Sequence, residues 1–216
     1  MPHQALRCRL IDALYDSPST HVFDPRRPTN QARSDFDLDP DPAFMNGIPV
    51  NMPVRQAAVL VPIVLRDDPT ILLTQRASNM PSHAGQIAFP GGKIEPDDRD
   101  ARAAALRETS EEVGLERDFI ETIGYLDNYR TGTNFNVVPV VALVTPGFNL
   151  KIDTREVALA FEVPLQFLMQ DSNHQLHKRE VKGRERTYYA MPYQDHYIWG
   201  ATAGMIRNLY ERLNRA

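Results

Sequence analysis

Nine residues at positions 107–115, RETSEEVGL, constrain this chain more than any other segment. They contain three glutamates, Glu108, Glu111 and Glu112, at the spacing i, i+3 and i+4. On an α-helix of about 3.6 residues per turn these positions share one face, where carboxylates repel one another unless a cation lies against them. Because hard divalent ions prefer oxygen ligands, the spacing indicates a metal-dependent enzyme.

The residues around these glutamates predict where the helix lies. Helix-favouring residues with a small packing face, at positions 101 and 104–106, predict a helix over residues 98–113. Gly114 is placed to end it as a C-cap. A solvated acidic face is the ordinary alternative for a Glu-rich helix, but the Arg107 and Gly114–Leu115 frame favours a functional site.

Length and charge exclude several classes of protein. A chain of 216 residues, 42% hydrophobic and 24% charged, has the composition of one folded domain and not of a disordered chain. The net charge of −4 gives no overall attraction to nucleic acid or to an anionic membrane. Neither is therefore expected as a partner.

The cysteine content and the N-terminal residues bear on the cellular compartment. Cys8 is the only cysteine, so an intramolecular disulfide and a cysteine metal cluster are both excluded, which fits a reducing compartment. The first residues lack the continuous apolar core of a signal peptide, and no run of 18 apolar residues occurs. We expect a cytoplasmic protein.

Hydrophobic patterning predicts alternating strands and helices. Residues 57–65, AAVLVPIVL, form a nearly continuous apolar run typical of a strand buried on both faces, and residues 70–75 would pair with it as a hairpin. The remaining expectations are strands at 122–127 and 137–143, short helices at 157–162 and 165–170 separated by Pro164, and an amphipathic helix at 203–213.

The first 53 residues differ from the rest of the chain. Apolar residues at helical spacing predict a helix over residues 3–16, whereas residues 17–53 are rich in Pro, Asp and Asn and predict an irregular surface arm. We therefore divide the chain into an N-terminal region, residues 1–53, and one domain, residues 54–216. Two roles for the arm stay open: covering the domain, or forming a contact in a homodimer.

Residues 174–186, HQLHKREVKGRER, concentrate basic side chains in an acidic chain. Strands at 175–181 and 186–190 around residues 182–184 predict an exposed hairpin. Charges on an edge hairpin prevent pairing with other chains. A phosphate-binding flap over a site is the alternative, and the sequence leaves both open.

The segment from Gly92 to Leu115 resembles the Nudix box of the Nudix hydrolase superfamily, G-x5-E-x7-R-E-U-x-E-E-x-G-U, where U is a bulky apolar residue. The core R-E-x2-E-E-x-G-U is intact. The interval from Gly92 to Arg107 is one residue longer than in the pattern, Asp98 stands at its first acidic position and Thr109 at an apolar one. The resemblance implies an α/β fold, a Nudix-type α/β/α sandwich around a mixed β-sheet.

Residues 72–92, LLTQRASNMPSHAGQIAFPGG, are similar to the signature just upstream of the box in coenzyme A pyrophosphatases, LLT-x-R-[SA]-x3-R-x3-G-x3-F-P-G-G. Pro81 stands where that pattern has arginine, and the other specified positions match. Residues 163–169 and 198–206 are also similar to the later part of this group. The likeness covers residues 54–213.

The resemblance implies a site for Mg²⁺ or Mn²⁺ whose ligands are Glu108, Glu111 and Glu112. Arg107 would hold the loop before the helix through a bidentate contact with a carboxylate. Asp98 and Glu95 are both candidates for that carboxylate.

Other roles follow from the same resemblance. The general base would come either from a box glutamate or from a loop outside the box, where Glu156 is favoured and Glu162 is the alternative. The substrate, a small molecule, would be bound by Arg76, His83, Gln86, Gly91 and Gly92.

The activity that the resemblance implies is metal-dependent hydrolysis of the pyrophosphate bond of coenzyme A or acyl-CoA, giving 3′,5′-ADP and 4′-phosphopantetheine or its acyl form. One alternative keeps the chemistry and changes the substrate to ADP-ribose or another nucleoside diphosphate derivative. Another is a Nudix-fold ligand sensor without hydrolysis. The three retained glutamates favour an enzyme.

Overall fold

The computed structural model of the chain describes residues 2–20, 32–39, 53–80, 83–181 and 183–215. Within these residues lie four α-helices: α1 (Pro2–Ala13), α2 (Ala101–Val113), α3 (Leu165–Leu168) and α4 (Ala201–Leu213). Short 3₁₀ turns occupy Arg117–Phe119 and Asp171–Asn173. Among the helices described, none has the length and apolar character needed to cross a membrane.

The strands form two sheets. The larger sheet contains β1 (Ala32–Ser34), β2 (Arg55–Val64), β3 (Thr70–Arg76), β4 (Ile87–Ala88), β5 (Gly91–Lys93), β6 (Ile120–Tyr125), β7 (Asn128–Arg130), β8 (Phe135–Val144) and β9 (Val157–Pro164). The smaller sheet contains β10 (Gln175–Val181), β11 (Arg184–Tyr193) and β12 (His196–Trp199).

The larger sheet is mixed and centres on β2. This strand runs parallel to β8, in register from Arg55–Phe135 to Val64–Val144, and antiparallel to β3 and β5. The order across the sheet is β1-β7-β8-β2-β3-β4, with β6 also on β8 and β9 also on β3. The predicted hairpin of the first two long strands is confirmed.

Side chains of β2 alternate between two buried faces, as its apolar run predicts. Ala58 and Leu60 pack against α2, whose buried alanines let the helix approach the sheet closely. Val61 and Ile63 pack on the other side with α4 and the smaller sheet. The result is three layers, α2, the mixed sheet, and α4 with the smaller sheet, so the α/β/α sandwich is confirmed.

The predicted helix at residues 157–162 is wrong, because this segment is strand β9. It pairs with β3 along its length, from Thr70–Pro164 to Arg76–Val157, and this non-local pairing overrides the weak local pattern. Pro164 is the N-cap of the short helix α3, which confirms the predicted second helix in shortened form. The sequence pattern also did not predict strands β7 and β12.

The N-terminal region packs on the domain where it is described. Helix α1 is confirmed and ends at Ala13; Leu10 is buried, whereas Ile11 is exposed on the outer face. The expectation of an irregular arm is wrong at residues 32–34, since β1 pairs in parallel with β7, and Phe36 is buried beside it. Arm residues 21–31 and 40–52 lie outside the described residues, as does Pro81.

Candidate active site

Helix α2 begins and ends on residues suited to those positions. The side chain of Asp100 accepts a hydrogen bond from the Ala103 amide at 2.8 Å, so the helix starts after this N-cap and not at the predicted residue 98. Gly114 ends it in the left-handed conformation, as predicted. Both ends of the acidic helix are therefore set by residues close to it in sequence.

Strand β5 brings two glycines against the helix carboxylates. The Gly91 amide donates to Oε2 of Glu112 at 3.0 Å. A Cβ on Gly91 would lie 2.4 Å from the Ala58 carbonyl oxygen, and one on Gly92 would lie 2.5 Å from Cδ of Glu108. Gly91 therefore requires glycine, because backbone atoms fill the space of a side chain, whereas a side chain at position 92 would have to displace the Glu108 carboxylate.

Glu108, Glu112 and Glu156 form what we call the carboxylate cluster. Burial raises the pKa of Glu112 to about 7, and the negative charges of Glu108 and Glu156 add to the rise, against the Gly91 amide and Arg76. Burial also raises the pKa of Glu108, with further contributions from Glu111 and Glu156. The three carboxylates thus repel one another, and the burial of Glu108 and Glu112 reduces the screening of that repulsion by solvent.

The cluster fits a hard divalent cation by the chemistry of its donors. In the described part of the chain, no three His, Cys, Asp or Glu side chains are already arranged around a common metal position. Glu111 is exposed, and its carboxylate accepts from the same Arg107 Nη1 that donates to Glu108, each at 3.1 Å. The carboxylate oxygens of Glu108 and Glu112 are suitable donors, and Mg²⁺ needs few carboxylates because it keeps several waters.

Arg107 ties the preceding loop to the helix. Its Nε and Nη2 donate to the two oxygens of Asp98 at 3.0 and 2.9 Å, and Nη2 also donates to the Lys93 carbonyl oxygen. Of the two candidate partners, Asp98 makes the contact. Hydrogen bonding to Arg107 lowers the pKa of Asp98, and Arg107 also contacts Glu108 at 3.1 Å.

The two candidate bases lie in different surroundings. Glu162 accepts hydrogen bonds from Arg66 and Thr70, and its carboxylate is engaged there. Glu156 is exposed, acts electrostatically on both Glu108 and Glu112, and its carbonyl oxygen accepts from the Ala77 amide. Of the two candidate bases, Glu156 is therefore the one whose carboxylate belongs to the carboxylate cluster.

A cavity of about 1130 Å³, which we call the arginine cavity, opens on the opposite face of the sheet. Three of the predicted substrate residues, Arg76, His83 and Gln86, line it. Nη1 of Arg76 lies 3.8 Å from Oε1 of Glu112, so this side chain joins the cavity to the carboxylate cluster. The Nδ1 of His83 lies 2.7 Å from Oε1 of Gln86.

The structure adds wall residues that sequence reasoning missed. The arm supplies Arg33, Asp35 and Phe36, while β7 and β12 supply Tyr129 and Trp199. Non-local contacts place them: Tyr129 donates its hydroxyl hydrogen to Asp35 at 2.9 Å. For the arm no pattern marked these residues, and for Trp199 the signal was the likeness of residues 198–206 to the coenzyme A group.

Comparison with known proteins identifies the class. The family described as the NUDIX domain matches residues 54–186, and the chain belongs to this family. Nudix hydrolases act on diphosphate compounds and generally use divalent metal cations, so the protein is a Nudix pyrophosphatase with a small-molecule substrate.

The chain is also similar to several individual proteins. The chain is 42% identical over 155 residues to the uncharacterized Nudix hydrolase NudL of Enterobacter sp. strain 638, covering 72% of this chain and 81% of the relative. It is 40% identical to NudL of Photorhabdus laumondii, covering 74% and 85%. Among solved structures, the MutT protein of Methanosarcina mazei Go1 shares 20% identity at a TM-score of 0.47, covering 77% of this chain and 96% of that one.

Proposed function

We propose that the protein hydrolyses the diphosphate bond of coenzyme A or acyl-CoA, releasing 3′,5′-ADP and 4′-phosphopantetheine or its acyl form. The observation that carries this proposal is the position of Arg76 between Glu112 and the arginine cavity. Arg76 belongs to the 72–92 segment that is similar to the coenzyme A pyrophosphatase signature. That segment therefore supplies both the glycines beside the carboxylates and an edge of the cavity.

The cavity suits a large anionic nucleotide. Its volume slightly exceeds the usual range for ligand sites, which is roughly 300–1,000 Å³. Its walls combine arginines, which bind phosphate oxygens, with aromatic side chains such as Tyr188 and Trp199, which present flat apolar surface to a ring. A nucleoside carrying several phosphates needs both kinds of wall.

We assign roles to the cluster as follows. Glu108 and Glu112 would hold Mg²⁺ or Mn²⁺, which when bound neutralises phosphate charge and lowers the pKa of water. Glu111 stays a predicted third ligand, and it would have to leave Arg107 to serve. Arg107 positions the helix through Asp98.

Two side chains would act on the substrate and the water. Arg76 would bind a diphosphate oxygen, since its Nε is buried without a hydrogen-bond partner in the described part of the chain. Glu156 would take a proton from the attacking water while the bridging P–O bond breaks. Gly91, Gly92, His83 and Gln86 are predicted to contact the substrate.

A second candidate substrate is ADP-ribose or another nucleoside diphosphate derivative. Pro81 favours it, because the coenzyme A signature has an arginine at that position. The chemistry at the carboxylate cluster would be the same.

A substrate panel tests the proposal. We expect the purified protein with Mg²⁺ or Mn²⁺ to hydrolyse coenzyme A with a higher kcat/KM than 3′-dephospho-coenzyme A or ADP-ribose, with 3′,5′-ADP identified by chromatography. A preference for ADP-ribose would overturn the coenzyme A assignment and leave the diphosphate hydrolase in place.

A further inference from the structure

The arginines that line the cavity differ in what already binds them. Arg33 and Arg207 both pair with Glu211, and Arg207 also pairs with Asp171. Arg76 lies beside Glu112. Arg179, by contrast, forms no ion pair with any residue that the structure describes, although its side chain is exposed on the cavity wall. Its charge is therefore available to a ligand.

Aromatic rings hold the Arg179 guanidinium in place. Its Cζ lies 4.4 Å from the centroid of the Trp199 ring and 5.8 Å from that of Tyr188. Those two rings pack edge to face at 5.3 Å. A guanidinium stacked on a ring keeps its N–H groups at the edge free to donate. Arg179 is thus oriented before any ligand arrives.

A second arginine lies directly across the ladder. Arg179 is the register partner of Arg186, so the two side chains share one face of the β10–β11 hairpin. Arg186 is buried, with its guanidinium 4.9 Å from the centroid of Phe36. Burial lowers the pKa of Arg186, and the charge of Arg179 lowers it further, whereas Asp39 and Asp35 oppose the shift.

The nearby carboxylates have other hydrogen-bond donors. Asp35 accepts from the Tyr129 hydroxyl at 2.9 Å and from the Gly132 amide at 2.7 Å. Asp39 accepts from the Thr187 amide at 2.6 Å. The negative charges of Asp35 and Asp39 partly offset the positive charge of Arg186, but neither carboxylate forms an ion pair with Arg179.

The opposite face of the same hairpin carries a different set of charges. Lys178 and Glu185 alternate with the two arginines along their strands, and they pair with each other at 2.7 Å in the solvent. Neither lines the cavity. Charges that protect the hairpin from pairing with other chains therefore lie on this outer face, and the arginines lie on the inner one.

We propose that Arg179, supported by Trp199 and Tyr188 and accompanied by Arg186, forms a subsite for a phosphomonoester dianion at the nucleotide end of the substrate. A phosphomonoester carries close to two negative charges at neutral pH, and a guanidinium can bind it with two parallel hydrogen bonds. The inference rests on the proposed function, because it assigns the 3′-phosphate of coenzyme A to this part of the arginine cavity.

The test compares substrates with and without the 3′-phosphate. For Arg179→Ala, we expect kcat/KM for coenzyme A to fall about 10- to 30-fold, mainly through KM, as for a lost charge-assisted hydrogen bond. For 3′-dephospho-coenzyme A it should stay within about twofold of wild type, because the contact is absent there. Arg179→Lys should recover part of the loss. Lys178→Ala is the matched control, since it removes one charge from the outer face of the same hairpin, and it should behave as wild type.

Calorimetry with adenosine 3′,5′-bisphosphate and adenosine 5′-monophosphate tests the phosphate subsite independently of coenzyme A hydrolysis. Wild type should bind the bisphosphate more tightly, and Arg179→Ala should remove that preference, even if coenzyme A proves not to be hydrolysed. Equal losses on both substrates, or equal binding of both nucleotides by wild type, would overturn the subsite. Failure of wild type to hydrolyse coenzyme A would instead overturn the proposed function.

Discussion

The two faces of the central sheet carry opposite charges and are assembled in different ways. On one face, Glu108 and Glu112 of the carboxylate cluster belong to helix α2. They lie against Gly91 and Gly92 of β5, a strand that ends shortly before this helix begins. On the other face, the arginine cavity is lined by six separated segments, near residues 33–38, 57–59, 76–89, 129–137, 179–189 and 199–211. The two helix carboxylates thus depend on local sequence, whereas the presence of Glu156 in the cluster and the proposed recognition of substrate in the cavity depend on the tertiary fold.

The largest expected effect is on the carboxylate face. Glu112→Gln keeps the size of the side chain and an oxygen that can accept from the Gly91 amide, but it removes the negative charge. We expect kcat/KM for the diphosphate substrate to fall by about 10³-fold or more, because the charge that would hold the cation is lost. Steady-state kinetics at saturating Mg²⁺ measure the loss.

Glu116→Gln provides the control for that substitution. Glu116 is exposed just after the helix, so the same chemical change there should leave activity as in wild type. Thermal unfolding of both variants should show that the fold is kept. An active Glu112→Gln variant would contradict the metal assignment and end the division between a catalytic face and a recognition face.

Substitution of the two β5 glycines should separate an effect on activity from an effect on stability. In Gly92→Ala the new Cβ would displace the carboxylate of Glu108, and a shift of this size in a catalytic group costs about 100-fold in rate. In Gly91→Ala the Cβ would meet the backbone of Ala58, which cannot move aside, so we expect a loss of about 1–3 kcal/mol in the free energy of unfolding.

Kinetics and urea unfolding of the two variants distinguish these outcomes. Gly92→Ala should lose activity with little change in stability, and Gly91→Ala should lose stability as well. If both variants lost stability equally and Gly92→Ala kept its rate, the Glu108 carboxylate would not need its present position.

What the sequence could predict follows the same division. Helix α2 and its Gly114 cap depend on residues within a short stretch, so spacing and cap chemistry located them, and they limited the partner of Arg107 to Asp98 or Glu95. Even there, the spacing allowed Glu111 to face either a metal ion or Arg107, because two rotamers of one side chain fit it.

The cavity face could not be predicted in the same way. Asp35 and Phe36 belong to an arm without periodicity, and parallel pairing of β1 with the distant β7 brings them to the wall. Strand β9 was mistaken for helix because its pairing with β3 joins residues about ninety positions apart. The opposite faces of the β10–β11 hairpin became distinguishable only once its register was known.

The smallest expected effect concerns the stability of the cavity face as pH falls. His174 is buried, its Nε2–H donates to the Leu168 carbonyl oxygen at 2.7 Å, and its Nδ1 accepts from Nη1 of Arg207, a cavity residue, at 3.3 Å. Both nitrogens are satisfied in the neutral ring, and a second proton would point at Arg207. Burial lowers the pKa of His174, with Arg207 acting in the same direction and Asp171 and Glu211 opposing it.

Because the folded-state pKa of His174 lies below its ordinary value of 6.5, the unfolded chain binds the proton more readily. The stabilisation is therefore complete above pH 6.5 and declines as pH falls toward the folded-state value, by no more than about 1.4 kcal/mol per pH unit for one proton. His174→Gln removes this titration, so its unfolding free energy, measured in urea at pH 8 and pH 5.5, should fall less between the two than that of wild type. An equal fall in both proteins would show that a charged His174 is tolerated beside Arg207, and that acid acts on the fold through its carboxylates alone.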